Sequence, residues 1–203
     1  MQKAIMDANT KKTKVLLVID MQNDFIDGSL GSEAAQRIVP NVVEKIKNFD
    51  GDLIILTQDT HYEGYLNTKE GQKLPVVHCV YKTHGWEINE DVLRAVNESN
   101  KRTRYILKPT FGAALPMPDL GCYNDLINEI ISLYCPDKVE EVDIELVGLD
   151  TDICVISNAM ILKAKFPETL ITVDASCCAG VTPESHMNAL AAMKMCQINV
   201  INE

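Results

Sequence analysis

The chain has 203 residues, 46% of them apolar and 24% charged, and its 19 basic against 29 acidic residues leave a net charge of −10. That apolar content excludes a disordered chain, and the acidic balance argues against a nucleic-acid or anionic-membrane partner, since either would need a basic patch. A chain of this length buries roughly 70% of its unfolded surface, so its core needs neither a disulfide nor a metal to fold.

The polar start MQKAIMDANTKKTK lacks the apolar centre of a signal peptide, and residues 1–13 are expected to form a flexible extension. KVLLVID (14–20) reads as a buried strand ending at Asp20. Pro40 is then expected in the first turn of a helix running to about Phe49. DLIILTQ (52–58) is the second strand, and the polar segment 59–87 after it carries three of the four histidines. Asn89 caps a helix over DVLRAVNES, and TRYILK (103–108) is a strand ending at Lys108. GCYNDLINEIISLY has a helical apolar face through Leu126, Ile127, Ile130, Ile131 and Tyr134. The acidic stretch Asp137 to Glu145 is expected to be a solvated turn, leading into the strand DIELVGL (143–149). A helix then runs from the neighbourhood of Cys154 to about Phe166, followed by the strand TLITVDA (169–175). Thr182 and Pro183 open a last helix to about Cys196, and QINVIN (197–202) is the last strand.

This alternation predicts a single α/β domain over residues 1–203, a three-layer α/β/α sandwich with a doubly wound, mostly parallel six-stranded sheet. No run of about 18 apolar residues is present, so no membrane span is expected. Seven cysteines, an odd number without zinc-finger spacing, are expected to be reduced thiols of a cytoplasmic protein. The adjacent Cys177 and Cys178 read as core-edge thiols.

Ligands of open α/β sheets bind beyond the carboxyl ends of the strands, and that is where the chemically informative residues fall. Cys154 stands at a strand-to-helix junction, where the helix dipole and free amides favour a thiolate and could hold an oxyanion. Asp20 could take and return a proton, and Lys108 could stabilise both anions. Asp59, His61, Glu70 and His78 offer oxygen and nitrogen ligands suited to zinc, iron or manganese. Asp59 and His61 are two residues apart, so in extended backbone they point the same way. His84 and Trp86 lack an evident partner, and His186 is expected to face solvent, leaving it only a minor candidate to pair with the cysteine. Dinucleotide-binding, P-loop and serine-hydrolase elbow motifs are absent.

The motifs VIDMQNDF (18–25), ILKPTFGA (106–113) and GLDTDICVISNA (148–159) together resemble the isochorismatase-like cysteine hydrolases, in particular their nicotinamidase branch. The resemblance extends from about residue 14 to the C-terminus. It implies Asp20 as catalytic acid/base, Lys108 as catalytic lysine and Cys154 as nucleophile. It also implies a cis peptide at Leu149–Asp150, with the backbone amides of Asp150 and Cys154 forming an oxyanion hole. The segment from Asp59 through His61 and Glu70 to His78 is similar to the metal site of nicotinamidases, and HCVYKTHGWEI (78–88) to the run after it. The implied cofactor is a divalent transition metal, zinc first, with iron or manganese as alternatives.

The implied activity is hydrolysis of a small primary amide, nicotinamide to nicotinate and ammonia, through a thioester. The substrate wall departs from the branch: Leu74 and Pro75 stand where nicotinamidases commonly place a tryptophan, and Ala114 where an aromatic is common. Phe25 and Phe111 remain as ring-facing aromatics. Two other readings stay open at this point. One is a hydrolase of carbamoyl or ureido compounds or of a vinyl ether, against which the full metal set and Cys154 count. The other is a catalytically silent binding module, against which the complete Asp20, Lys108 and Cys154 set counts. Related folds are often homo-oligomers, which the apolar content here would allow.

Overall fold

Strand β1 (Thr13–Ile19) sends Val15, Leu17 and Ile19 to one face and Leu16 and Val18 to the other, and all five are buried. Such a strand needs cover on both faces, and the computed structural model, which describes residues 13–134 and 142–203, supplies it. Around β1 lie β2 (Leu53–Asp59), β3 (Arg102–Lys108), β4 (Val142–Leu149), β5 (Leu170–Ala179) and β6 (Asn199–Ile201). They form one sheet in the order β3-β2-β1-β4-β5-β6. Every pairing is parallel, so the expected mostly parallel sheet is wholly so among the described residues.

Helices α2 (Glu33–Lys47) and α4 (Glu90–Glu98) cover the face of Leu16 and Val18, through Ile38, Val42, Ile46 and Val92. Helices α5 (Leu126–Tyr134), α6 (Ile156–Lys165) and α7 (Pro183–Met195) cover the other, through Leu126, Ile130, Leu162 and Met193. The short helices α1 (Asn23–Ile26) and α3 (Lys69–Lys73) lie in the connections after β1 and β2. No described helix is long and apolar enough to cross a membrane.

The caps expected at Asn89 and Thr182 are present: Asn89 accepts from the Asp91 and Val92 amides, and Thr182 from the Ser185 amide. Pro40 is a correction. Helix α2 begins at Glu33, with the Ser32 side chain accepting from the Ala35 amide, and Pro40 sits inside it. The stripe Ala35, Ile38, Val42 and Ile46 buries continuously past this position, while Pro40 itself is exposed. Apolar burial along the stripe outweighs the hydrogen bond the proline ring removes.

The acidic stretch expected as a turn lies outside the described residues up to 141, and from Val142 onward it is strand β4. Residues 1–12, Cys135 and the side chains of Ile131 and Tyr134 also lie outside them. The six described cysteines are free, with Cys177 and Cys178 buried at the end of β5.

Candidate active site

The strand order reverses between β1 and β4, which opens a crevice at their carboxyl ends. Gly148 keeps the two strands close there: its φ is +120°, and a Cβ would fall 2.1 Å from the Ile19 carbonyl oxygen. Asp20, the residue after β1, has φ of +48° and is fully buried. Thr57 on β2 fixes it, donating its hydroxyl to Asp20 Oδ1 at 2.7 Å and accepting the Asp20 amide at 3.2 Å.

Lys108 ends β3 and is also fully buried. Its Nζ lies 2.7 Å from Asp20 Oδ2, 3.2 Å from Asp59 Oδ1 and 3.5 Å from Cys154 Sγ, and donates to the Thr110 carbonyl at 3.1 Å. Asp20 Oδ2 is close to the ammonium without hydrogen-bond alignment, and no described donor satisfies it. Cys154 sits in a π-helical turn, Thr151–Val155, that leads into α6, and it is 4% exposed. The structure thus brings Asp20, Lys108 and Cys154 together.

The peptide Leu149–Asp150 is cis. The Asp150 carbonyl accepts from the Ile153 and Val155 amides at 3.1 and 3.0 Å, which closes the turn around Cys154.

The electrostatics correct one expectation. Burial pushes the Cys154 thiol well above its ordinary value, Lys108 opposes this, and the Asp20 and Asp59 carboxylates add to it. A thiol with almost no water around it gains less from a helix terminus than it loses in desolvation, so the resting group is protonated rather than a dipole-activated thiolate. Burial also raises Asp20, against the pull of Lys108. Lys108 itself is held above its usual range because Asp20, Asp59 and Cys154 outweigh the burial that would lower it. A protonated thiol beside a proton-avid buried carboxylate and a fixed ammonium is arranged for proton transfer.

Asp59 joins this cluster to a second one. Its Oδ1 faces Lys108, while its Oδ2 lies 2.9 Å from His61 Nε2 and 3.5 Å from His78 Nε2. Burial would raise the Asp59 carboxyl, but Lys108 and the two histidines hold it far below the usual range. A parallel bridge between His61 and Val80 draws the 78–80 segment alongside the end of β2. Glu70 comes from α3, with Oε1 at 3.7 Å from His61 Nε2 and 4.0 Å from His78 Nε2.

One ligand atom from each of Asp59, His61, Glu70 and His78 falls within 4.8 Å of the other three. Ligands at about 2.0–2.2 Å from a tetrahedral zinc stand a little over 3 Å apart, so the four are spaced to hold a metal. Two further observations fit one. His78 Nδ1 bonds the Val76 carbonyl at 2.8 Å, leaving Nε2 free to coordinate, and His61 Nε2 is buried without a hydrogen-bond partner.

Both clusters border one cavity of about 790 Å³. Phe25, Leu74 and Phe111 form part of its apolar wall, and Asp150 and Cys154 line it as well. Phe25 packs its ring 5.6 Å from that of His78, whereas Phe111 is exposed at the cavity mouth.

Several supporting residues escaped the sequence reading. Gln22 clamps Asp59, accepting its amide at 2.7 Å and donating to its carbonyl at 2.9 Å. Asp24 accepts the Cys79 amide at 2.7 Å, tying the opening motif to the residue after His78. Asn158 donates to the Cys154 carbonyl and accepts the Ala113 amide, each at 2.8 Å. All three lie inside motifs already singled out, and their signal was a polar side chain within a run otherwise buried. Trp86 does have a partner, donating its indole N–H to Thr60 Oγ1 at 3.0 Å. His186 is the other correction: it is half-buried, with Nδ1 at 2.8 Å from Thr151 Oγ1, because α7 packs against the turn that carries Cys154.

Solved structures share this architecture. The nicotinamidase/pyrazinamidase PncA of Bacillus subtilis matches with a TM-score of 0.76 and 24% identity, over 94% of this chain and 100% of that one. The pyrazinamidase of Pyrococcus horikoshii, solved in complex with zinc, matches at 0.68 and 24%, over 94% and 99%. PnC1 of L. infantum, solved in complex with nicotinate, matches at 0.73 and 17%, over 95% and 94%. At these identities the likeness shows the fold. No curated protein sequence matches the chain. The family model for the isochorismatase domain matches residues 14–202, a span that takes in the strands, the buried cluster and the metal donors alike, and the chain therefore belongs to the isochorismatase family.

Proposed function

We propose that the chain is a cysteine amidase of the nicotinamidase type, hydrolysing a small primary amide, with nicotinamide as the first substrate to try. The observation that carries this reading is Lys108 Nζ lying 2.7 Å from Asp20 and 3.5 Å from Cys154, all three buried beside a ligand cavity. In this reading Asp20 takes the proton of the Cys154 thiol as sulfur attacks the amide carbon. The oxygen gains the charge and is met by the amides of Asp150 and Cys154. Asp20 then gives its proton to the departing nitrogen, which leaves as ammonia, and the acyl group stays on sulfur as a thioester. Water loses a proton to Asp20 and attacks the thioester carbon. The acid departs, and sulfur regains a proton from Asp20. Lys108 keeps its proton throughout and compensates whichever neighbour carries the charge.

Asp59, His61 and His78, with Glu70 beside them, are the residues that would hold a divalent metal, and zinc is supported by the spacing of the donors and by the zinc complex of the Pyrococcus horikoshii relative. When bound, such a metal supplies a Lewis-acid anchor for an electron-pair donor on the substrate, the pyridine nitrogen in the case of nicotinamide. Phe25 and Phe111 would flank the ring. With Leu74 on the wall in place of a further aromatic, stacking there is weaker by about 1 kcal/mol.

The test is ammonia release from nicotinamide, pyrazinamide and a set of carbamoyl and ureido compounds. Release from the first two supports the reading, and release confined to the others replaces it. Elemental analysis of chain purified without added metal or chelator should find one transition metal per chain, lost in His78→Ala with the fold retained. Equal and negligible metal in both would remove the metal assignment.

A further inference from the structure

The cavity carries an acid that the reaction just described leaves unused. Asp150 contributes its backbone amide to the proposed oxyanion site, and the residue is partly exposed and lines the cavity together with Cys154. No described donor bonds its carboxylate, unlike the other acids nearby. Asp59 is engaged by Lys108, His61 and His78, and Glu70 stands against the same two histidines. Asp152 accepts the Val181 amide at 3.1 and 3.3 Å. The nearby cations do not fill the gap: Lys69 and Lys73 on the cavity wall belong to α3 on the metal-donor side, and the buried Lys108 is committed to Asp20 and Asp59.

We propose that the natural substrate bears, within a few bonds of its scissile amide, a protonated amine or other N–H donor that is received by the Asp150 carboxylate. The inference rests on the amidase reading and narrows its substrate class. The short reach between the Asp150 amide and its own carboxylate sets the spacing: a substrate whose carbonyl oxygen meets the amide presents its neighbouring atoms to the side chain. A cavity of about 790 Å³ has room for such a group, lying within the range of roughly 300–1,000 Å³ that accepts drug-sized ligands. The electrostatics agree. Burial, with Asp152 and Asp20 adding to it, pushes the Asp150 carboxyl up to about 7, so the protein itself does little to support the charge. An incoming cation supplies that support, and a site with an unpaired acceptor discriminates strongly for the ligand that satisfies it.

The experiment compares isosteric pairs: β-alaninamide against butyramide, and amino-substituted against methyl-substituted nicotinamides. Ammonia release is followed for the parent chain and for Asp150→Asn. The amine member of each pair is expected to have at least a tenfold higher kcat/KM in the parent. Asp150→Asn should erase that preference chiefly through KM, a split that a general structural defect does not produce. Equal kcat/KM within each pair, unaltered by Asp150→Asn, overturns the inference while leaving the amidase reading intact. Calorimetric binding of the same pairs to Cys154→Ala, with and without Asp150→Asn, keeps the two separable. If no amide is turned over, the amidase reading fails, yet tighter binding of the amine that depends on Asp150 still upholds the carboxylate's role. Equal binding of amine and isostere to both variants overturns it.

Discussion

Two lysines of this chain sit in the same kind of cluster with different outcomes. Lys108 lies 2.7 Å from Asp20 and 3.2 Å from Asp59, beside Cys154. Lys45 of α2 lies 2.6 Å from Glu145 and 2.7 Å from Asp174, at a cavity of about 490 Å³ that Cys177 also lines. Each therefore has one ammonium, two carboxylates and a thiol. The first difference is water: Lys108 and Asp20 are 0% exposed, whereas Lys45 and Glu145 keep about a quarter of their surface and only Asp174 is buried. A unit pair at 4 Å is worth about 1 kcal/mol in water and about 4 kcal/mol at the effective dielectric of a protein site. The second difference is saturation. Asp174 has its oxygens taken by Ser176 and Asn202 as well as Lys45, whereas Asp20 Oδ2 has no aligned donor. Residue type is common to both. Deeper burial and one unsatisfied acceptor set apart the first cluster, the one the proposed amidase reading uses, while the second ties α2 to the sheet.

Breaking the reactive cluster should have the largest effect. Cys154→Ala removes one sulfur atom and should lower amide turnover at least a thousandfold, about 4 kcal/mol of barrier, with the melting temperature nearly unchanged. Asp20→Asn should cost about as much at every pH, since the amide cannot accept the thiol proton. Lys108→Met should lower turnover by about a hundredfold or more and also reduce stability, because two buried carboxylates lose their counter-ion. Its sign can be checked directly: Lys108 pulls both Cys154 and Asp20 down, so removing it moves both further up. Iodoacetamide labelling of Cys154 should then need more alkaline solution than in the parent, and an unchanged labelling profile would separate the lysine from the thiol.

Lys45→Met sharpens the contrast with the smallest expected effect. Turnover should stay within about twofold, and stability at neutral pH should fall by about 1–3 kcal/mol, since the buried Asp174 loses its cation but keeps Ser176 and Asn202. Burial would raise the Asp174 carboxyl, but Lys45 and Ser176 hold it below its ordinary value. A carboxyl depressed on folding adds stability above its unfolded value of about 3.9 and loses it as pH falls through its folded value. The stability curves of parent and Lys45→Met should therefore run apart at neutral pH and converge in acid. A gap that persists below both values would place the stabilisation elsewhere.

The sheet was legible because β1, β2 and β4 are runs of Val, Ile and Leu buried on both faces, a pattern that leaves few alternatives. Asp20, Lys108 and Cys154 were legible as positions at strand ends, and the four metal donors as a ligand set. Their neighbours were less so. Thr57 and Asp20 are 37 residues apart, and Gln22 and Asp59 likewise, so nothing local says that these side chains meet. The protonation state of Cys154 was misread because a helix terminus is visible in residue order while desolvation is not. Pro40 misled for a related reason: a local rule for helix starts gave way to a stripe that buries along the whole of α2.

The most direct test of the reactive-cluster account is the rate of ammonia release from nicotinamide by the parent chain, Cys154→Ala and Lys45→Met in one assay. The account predicts turnover by the parent, turnover within about twofold in Lys45→Met, and a loss of at least a thousandfold in Cys154→Ala. Turnover by Cys154→Ala within about tenfold of the parent, a difference of only about 1.4 kcal/mol, would contradict it.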